Sequence, residues 1–497
     1  MEKEIKYGVQ SKHHDDVPMQ ELEVELTGDE NKGHKSEDTF CSEIMNSNTV
    51  RSQFVRSICM SSADMITGWM KAQIGPAFPD IMLISGTDLT RGSIFMTALY
   101  SGQLLGAFLA SVIFSRINKY LVVSISMVLS GLTITAIPWC FLYELMITAF
   151  GFIGICVGII CVGISSELVA IWGPTARGRS YLMINSVGYS IAGVIAPLVT
   201  APFLLDQPEK HVANTTSNAT SDLPILLINQ TTQPELDFMY VNPPVENTLT
   251  PRSESRLYKA FIISAVLYVS VAVMFVMLFC QQGKDDRRKS KGDKVKFIGN
   301  HSLLMKRLQL VNIGVFSLVE NALDFTLAGY MVTFCIKHLE WTATSGATLT
   351  SILFIARLLG IFSGIFLVRY VMSHQIILVS TILITLSFIG LTVSAHFYFD
   401  IGIWVFVCTI GIPFGFLWPN FLTWVNANLI PIRDIIASYL ILTSYTGALL
   451  APLFLGYMME EVSLLWFCYL FSLKSIVLFV NASFMFYFTV SQHTTKQ

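Results

Sequence analysis

The chain has 497 residues, 53% of them hydrophobic and only 13% charged, with a mean hydropathy of +0.59 and a formal net charge of −2. This composition excludes a soluble globular protein, and the charges are segregated into a few hydrophilic segments. The expected surroundings are a lipid bilayer, with no nucleic-acid partner.

Residues 1–50 are polar and start with no apolar run, which predicts a disordered cytoplasmic tail and no cleavable signal peptide. His13, His14, Asp15 and Asp16 carry metal-ligand chemistry, but in a charged tail they read as solvated groups. Stretches long enough to cross about 30 Å of hydrocarbon follow near 54–79, 92–114, 120–140, 145–172 and 180–204. They form helices 1 to 5 of an N-terminal bundle over 51–204. Residues 205–257 are a hydrophilic loop, helix 6 covers 258–281, and 282–307 is a basic linker. Six further stretches near 308–335, 344–370, 375–396, 401–425, 437–459 and 464–490 make a C-terminal bundle over 308–490, before a short cytoplasmic tail at 491–497.

Lys and Arg near the helix ends set the orientation. Arg51, Arg56, Arg116, Lys119, Arg177, Arg179, the run from Lys284 to Lys296, Arg369, Arg433 and Lys496 fall on one side, expected to be the cytoplasm, with both termini inside. Residues 205–257 then lie outside, and they carry three glycosylation sequons, at Asn214, Asn218 and Asn229. The sequon at Asn300 falls in the cytoplasmic linker and that at Asn481 inside the last helix, so both are set aside. A glycosylated outer loop points to the plasma membrane. The cysteines lie in or beside apolar helices, with none in the outer loop, so neither a disulfide framework nor a metal site is expected.

The second half faintly repeats the first. Gln103-Leu104-Leu105-Gly106 recurs as Arg357-Leu358-Leu359-Gly360, 254 residues on; Ala196-Pro197-Leu198 recurs as Ala451-Pro452-Leu453, 255 on; and the pair Gly163 and Trp172 is matched to Gly415 and Trp424, 252 on. Two parallel repeats in a membrane protein imply a transporter whose halves open alternately to either side. Small-residue rows, Gly102 with Gly106, Gly154 with Gly158 and Gly360 with Gly364, read as close helix packing.

Twelve helices in two parallel sixes resemble the major facilitator superfamily, whose helix 2–3 loop follows G-x-x-x-G-x-x-x-x-D-R-x-G-R. Here that stretch gives Gly106, Ala110, Ser115, Arg116, Asn118 and Lys119, with two positive charges kept and the Asp and a Gly replaced. Gln73 to Asp80, Glu167 to Pro174, Glu320 with Gly329-Tyr330, and Phe414 to Asn428 are similar to the sodium-dependent glucose transporter 1 branch. The resemblance spans most of residues 54–490 and implies uptake of a hexose, with sodium as coupling ion. Where that branch tends to carry an Asp and an Asn in helix 4, this chain has Ser165, Ser166 and Glu167. The Pro-Glu-Ser-Pro-Arg and Gln-Gln-x-Ser-Gly signatures of facilitative glucose carriers are absent.

Charges that a bilayer should reject mark the interior, since each costs roughly 2.5–3.5 kcal/mol at the midplane unless it faces a cavity or a partner. Asp64 and Lys71 share one face of helix 1, and Glu320 and Asp324 share one face of helix 7. Glu320, Asp324 and Asp64 are the candidate ion-coupling residues, for Na+ or H+; the alternative is that Lys71 neutralises Asp64 or a helix 7 carboxylate as a structural ion pair. Sugar hydroxyls need amides and carboxylates and a sugar's C–H face needs an aromatic plate, which selects Glu167, Trp172, Asn185, Trp418, Asn420 and Trp424. Trp172 and Trp424 sit where an interfacial aromatic belt is also expected. Arg357, in place of Gln103, either clamps an anionic solute or pairs with Glu320 or Asp324.

The expectation is an all-α, multi-pass secondary transporter of a small polar solute, a monosaccharide first, working as a monomer by alternating access. It would have no cofactor, metal site or catalytic residue, and would be no enzyme. Two other readings stand beside it: a proton-coupled or facilitative carrier of an organic anion, and a transport-inactive membrane sensor or scaffold.

Overall fold

A computed structural model describes residues 48–172, 176–204, 256–281, 303–368, 370–430 and 434–494. The tail 1–47, the loop bearing Asn214, Asn218 and Asn229, nearly all of the basic linker and the last three residues lie outside the described residues. The chain divides after Ile58; the first unit contributes only the opening turns of the first helix, and Cys59–Gln497 contains the rest of the fold.

The described residues form twelve α-helices: α1 Asn48–Ser85, α2 Leu89–Ile113, α3 Lys119–Ala136, α4 Tyr143–Trp172, α5 Ala176–Thr200, α6 Leu257–Gln281, α7 Leu303–Lys337, α8 Ala343–Leu367, α9 Ser373–His396, α10 Asp400–Asn428, α11 Asp434–Glu461 and α12 Trp466–Thr494. Helix number and order match the sequence expectation. Several helices run past the apolar stretches, most of all α1 and α7, because polar turns beyond the hydrocarbon still satisfy their backbone groups best as helix. Side-chain caps fix some starts: Asp88 accepts from Arg91 N at 2.7 Å, Asn118 from Tyr120 N at 2.9 Å, and Thr342 from Ser345 N at 3.2 Å. Gly86, at φ +63°, takes the left-handed position that closes α1. Prolines end α3 and α5 in single 3₁₀ turns, Ile137–Trp139 and Ala201–Phe203.

Eleven of these helices are long and apolar enough to span a membrane; α1 falls short because Asp64, Lys71 and Asp80 interrupt it. Large apolar side chains such as Phe108, Leu132, Val266, Phe366 and Leu386 point outward, as lipid-facing positions do. Helices α1–α6 and α7–α12 form two six-helix bundles with the same internal pairings. α2 packs on α4 as α8 does on α10, α3 on α6 as α9 on α12, and α3 on α4 as α9 on α10. The halves are joined by α2 against α11 and α5 against α8, again one relation used twice.

Close glycine contacts set the register of the repeat. A Cβ on Gly106 would strike the Ile155 carbonyl, and one on Gly360 the Ile412 carbonyl. Gly154 lies on the Leu99 carbonyl as Gly411 lies on that of Leu353, and Gly158 on that of Gln103 as Gly415 on that of Arg357. Each pair shifts α2 to α8 by 254 residues and α4 to α10 by 257. The expected match of Gly163 and Trp172 with Gly415 and Trp424 is therefore wrong: three more residues separate α8 from α10 than α2 from α4, and Trp424 corresponds to Glu167.

Candidate functional site

The odd-numbered helices all finish at one end of the molecule, the distal end, which the basic-residue bias would place outside the cell. In the distal half, α1 and α7 touch through Gly75, whose missing side chain leaves room for the Ala328 carbonyl; a Cβ there would lie 3.6 Å from Gly329 Cα. Gly75 and Gly329 are 254 residues apart, so the helices meet at equivalent points, on the pseudo-twofold axis relating the halves. One turn back, Lys71 Nζ sits 3.8 Å from the centre of the Phe325 ring, and these two residues are again 254 apart. Tyr100 of α2 stacks on the other part of that aromatic wall, 5.8 Å from Phe325 and 7° from parallel.

The interior charges gather around this point. Arg357 Nη1 donates to Asp324 Oδ1 at 2.6 Å, and the guanidinium lies 5.3 Å from the Tyr189 ring of the opposite half. Of the two roles open to Arg357, pairing with a helix 7 carboxylate is the one the geometry takes. Asn185 Nδ2 of α5 donates to Asp64 Oδ2 at 2.9 Å. Lys71 has no carboxylate within 4.0 Å among the described residues, though Asp64 and Asp324 act on it from farther away. The expected structural ion pair to Lys71 is thus not formed; its contact is with Phe325.

Glu320 is only 3% exposed, and its Oε2 accepts from Asn321 Nδ2 at 2.8 Å. That amide also meets the Ser317 carbonyl and Ser444 Oγ of α11, each at 3.0 Å, and the Ser317 and Ser444 hydroxyls are 2.6 Å apart. Asp64, Lys71, Glu320, Asp324 and Arg357 are three acids and two bases, which leave one negative charge when all are ionised. Phe325, Tyr100 and Tyr189 form the aromatic wall of this cluster.

The other expected solute residues are placed differently. Glu167, near the opposite end of α4, pairs with Lys119 Nζ at 3.0 Å and accepts from the Tyr120 hydroxyl, tying α4 to the start of α3. Trp424 is buried with its ring edge-on to Phe486 of α12, 4.9 Å between centres. Both hold helices together within one bundle. Asn420 is fully buried, donates to the Phe416 carbonyl at 2.7 Å, and leaves its Oδ1 without a partner among the described residues. Trp418 is half-buried beside Phe421, which itself stacks on Phe316 of α7.

Ser317, Asn321, Ser444, Tyr100 and Tyr189 went unnoticed in the sequence. The first two had a signal: Ser317, Glu320, Asn321 and Asp324 recur at helical spacing, one polar stripe in an apolar helix. Gln103, the counterpart of Arg357, is fully buried with both amide atoms unpartnered among the described residues.

At the distal end the halves are in contact. Tyr330 donates to Ser93 Oγ at 2.7 Å and reaches the Pro452 carbonyl at 3.4 Å, Phe78 packs edge-on against its ring, and Gly456 of α11 lies on Ser93 and Leu89 of α2.

No protein-family model matches the chain. It is 22% identical over 406 residues to sodium-dependent glucose transporter 1A of mouse, covering 80% of this chain and 88% of the mouse protein. With human sodium-dependent glucose transporter 1 it shares 20% identity over 285 residues, 57% of this chain and 51% of the human protein. Among solved structures, the nucleoside transporter NupG matches with a TM-score of 0.57 at 13% identity, over 88% of this chain and all of that one. A D-xylose-proton symporter matches with a TM-score of 0.59 at 12% identity, over 87% and 97%. These likenesses show the major facilitator fold and a resemblance to the sodium-dependent glucose transporter 1 branch; every one of these proteins is named as a transporter or symporter.

Proposed function

We propose that this multi-pass membrane protein is a secondary transporter that carries a small polar organic solute, a monosaccharide in the first instance, and that a monovalent cation, sodium first, travels with it. The observation that carries the reading is the position of the charged cluster: it lies beside the α1–α7 contact at the pseudo-twofold axis, where both bundles line it, and its acids outnumber its bases by one. Rocking the bundles about that axis exposes the same groups to either face. The names of the mouse and human relatives support the sugar and the sodium.

In this reading Asp64, held by Asn185, offers oxygens to solute hydroxyls, and Phe325 with Tyr100 supplies the flat face a sugar ring packs on. Asn420, whose buried oxygen has no partner among the described residues, and Trp418 are assigned to the α10 side. Arg357 serves the site by holding Asp324, which removes it as an anion clamp and favours a neutral solute over an organic anion. Asn214, Asn218 and Asn229 are proposed as glycosylated on the outer face of the plasma membrane.

The test is uptake of labelled glucose and of methyl glucoside by cells expressing the protein, in sodium and with sodium replaced by choline. Uptake above untransfected cells that falls in choline is the expected result. Uptake indifferent to sodium would leave the carrier without the sodium coupling. Absence of uptake of either sugar would overturn the monosaccharide and turn attention to anionic solutes and Lys71.

A further inference from the structure

The oxygen-rich joint between α7 and α11 carries more than a structural hydrogen-bond network. Asn321 Nδ2 lies within hydrogen-bond distance of three oxygens: the Glu320 carboxylate, the Ser317 carbonyl and the Ser444 hydroxyl. An amide nitrogen has two protons for these three acceptors. The two hydroxyls nearby each hold one proton, which they share between the Leu440 carbonyl, 3.0 Å from Ser317 and 2.7 Å from Ser444, and each other at 2.6 Å, and neither bonds the carboxylate among the described residues. Among the described residues no cationic side chain lies within 4.0 Å of Glu320, and the nearest candidate, Arg357, is committed to Asp324. A buried carboxylate is thus surrounded by more acceptors than donors, around a group whose only positive character is the partial charge of an amide.

We propose that Glu320, Ser317, Ser444 and Asn321 form a binding site for one desolvated monovalent cation, and that the Asn321 amide fills the cation's place while the site is empty. The proposal rests on the cation-coupled reading of the function and deepens it by locating the cation. Rotating the Asn321 side chain withdraws Nδ2 and presents Oδ1, so that the cage offers a carboxylate, an amide oxygen, a backbone carbonyl and a hydroxyl. These are hard oxygen donors, and their single formal charge matches one positive charge. Asp324 is outside the cage because its charge is already met by Arg357.

The location supplies a coupling route. Ser444 is three residues from Gly447, where α11 lies against the Leu318 carbonyl of α7, so the two helices have little freedom to separate here. Next to Ser444, Tyr445 meets the Cys161 thiol of α4 in the opposite half. A cation drawing Ser444 toward Glu320 therefore moves a residue that touches the other bundle.

The experiment is thermal unfolding of the full-length protein in detergent, titrated with NaCl against choline chloride at constant ionic strength and pH. A ligand of the native state at free concentration c stabilises it by RT ln(1 + c/Kd), so the concentration that raises the melting temperature by a fixed increment, the midpoint compared between variants, scales with Kd. The wild type should be stabilised by sodium, the midpoint concentration should rise by about tenfold or more in Ser444→Ala and in Ser317→Ala, as loss of a ligand or its support does elsewhere, and Glu320→Gln should lose the response. Ser444→Thr, which keeps the hydroxyl, should stay near wild type. Sodium stabilisation with an unchanged midpoint in both alanine variants would overturn this site while leaving cation coupling intact. A wild type stabilised no more by sodium than by choline would remove the coupling reading itself, and stabilisation that follows pH alone would give the carboxylate to a proton.

Discussion

With Arg357 bonded to Asp324 at 2.6 Å inside the helical bundle, removal of either partner leaves the other as an uncompensated charge, at a cost of about 3–5 kcal/mol. Arg357→Gln should therefore melt well below wild type in detergent, and adding Asp324→Asn should recover most of the loss, because two neutral side chains strand no charge. Equal melting of the single and double variants would show that the two residues do not act as a unit. The sequence revealed that an arginine stands where the repeat has Gln103, but the two partners are 33 positions apart on different helices, and helical periodicity relates only residues on one helix. The same limit hid Asn185 from Asp64 and Ser444 from Glu320. Glu320, Asn321 and Ser317 share one helix, so that part of the site was open to a pattern search.

Helix identity was easier to read than helix register. Runs of about twenty apolar residues have few outcomes in a membrane, so eleven of the twelve helices follow from hydropathy alone, and α1, interrupted by charges, follows from its place at the head of the first six. Which residue corresponds to which across the repeat depended on where backbones touch, and a recurring Gly with a Trp nine residues later misled by five positions along α4. Glu167 and Trp424, at equivalent positions in the repeat, each make a joint within one bundle, Glu167 to α3 and Trp424 to α12. Glu167→Gln should accordingly leave the apparent KM for solute unchanged and cost about 1 kcal/mol or less, the usual worth of a partly exposed ion pair; a large rise in KM would return Glu167 to the solute site. Neighbouring glycines on α4 give a sharper check of the packing. Gly154→Ala collides with the Leu99 carbonyl and should destabilise by about 1–3 kcal/mol, while Gly151→Ala meets nothing nearer than the Ala98 carbonyl at 3.8 Å and should be neutral or mildly stabilising. Comparable melting of the two variants would contradict the close α2–α4 contact.

Across the whole molecule, the hydroxyl of Tyr330 bridges the halves at the distal end through Ser93 of α2, and within its own half it also reaches the Pro452 carbonyl of α11. Tyr330→Phe removes that bridge, worth about 0.5–1.5 kcal/mol, and should shift the population toward a distally open form by roughly two- to tenfold. The check is the rate at which a membrane-impermeant maleimide, added from the distal side, labels a cysteine placed at Thr97; an unchanged rate would mean that the closure rests on the Phe78 and Gly456 contacts alone. The pseudo-twofold axis bears on the history of the chain as well as its motion. In a dimer of identical half-length chains, a residue on the axis meets its own copy. Two glycines can do so, and Gly75 still faces Gly329. Two lysines at the next turn would set like charges together in a low dielectric, so the pairing of Lys71 with Phe325 belongs to a fused chain whose halves were already free to differ. Expressed as separate polypeptides, the N-terminal half should assemble with the C-terminal half and not with itself.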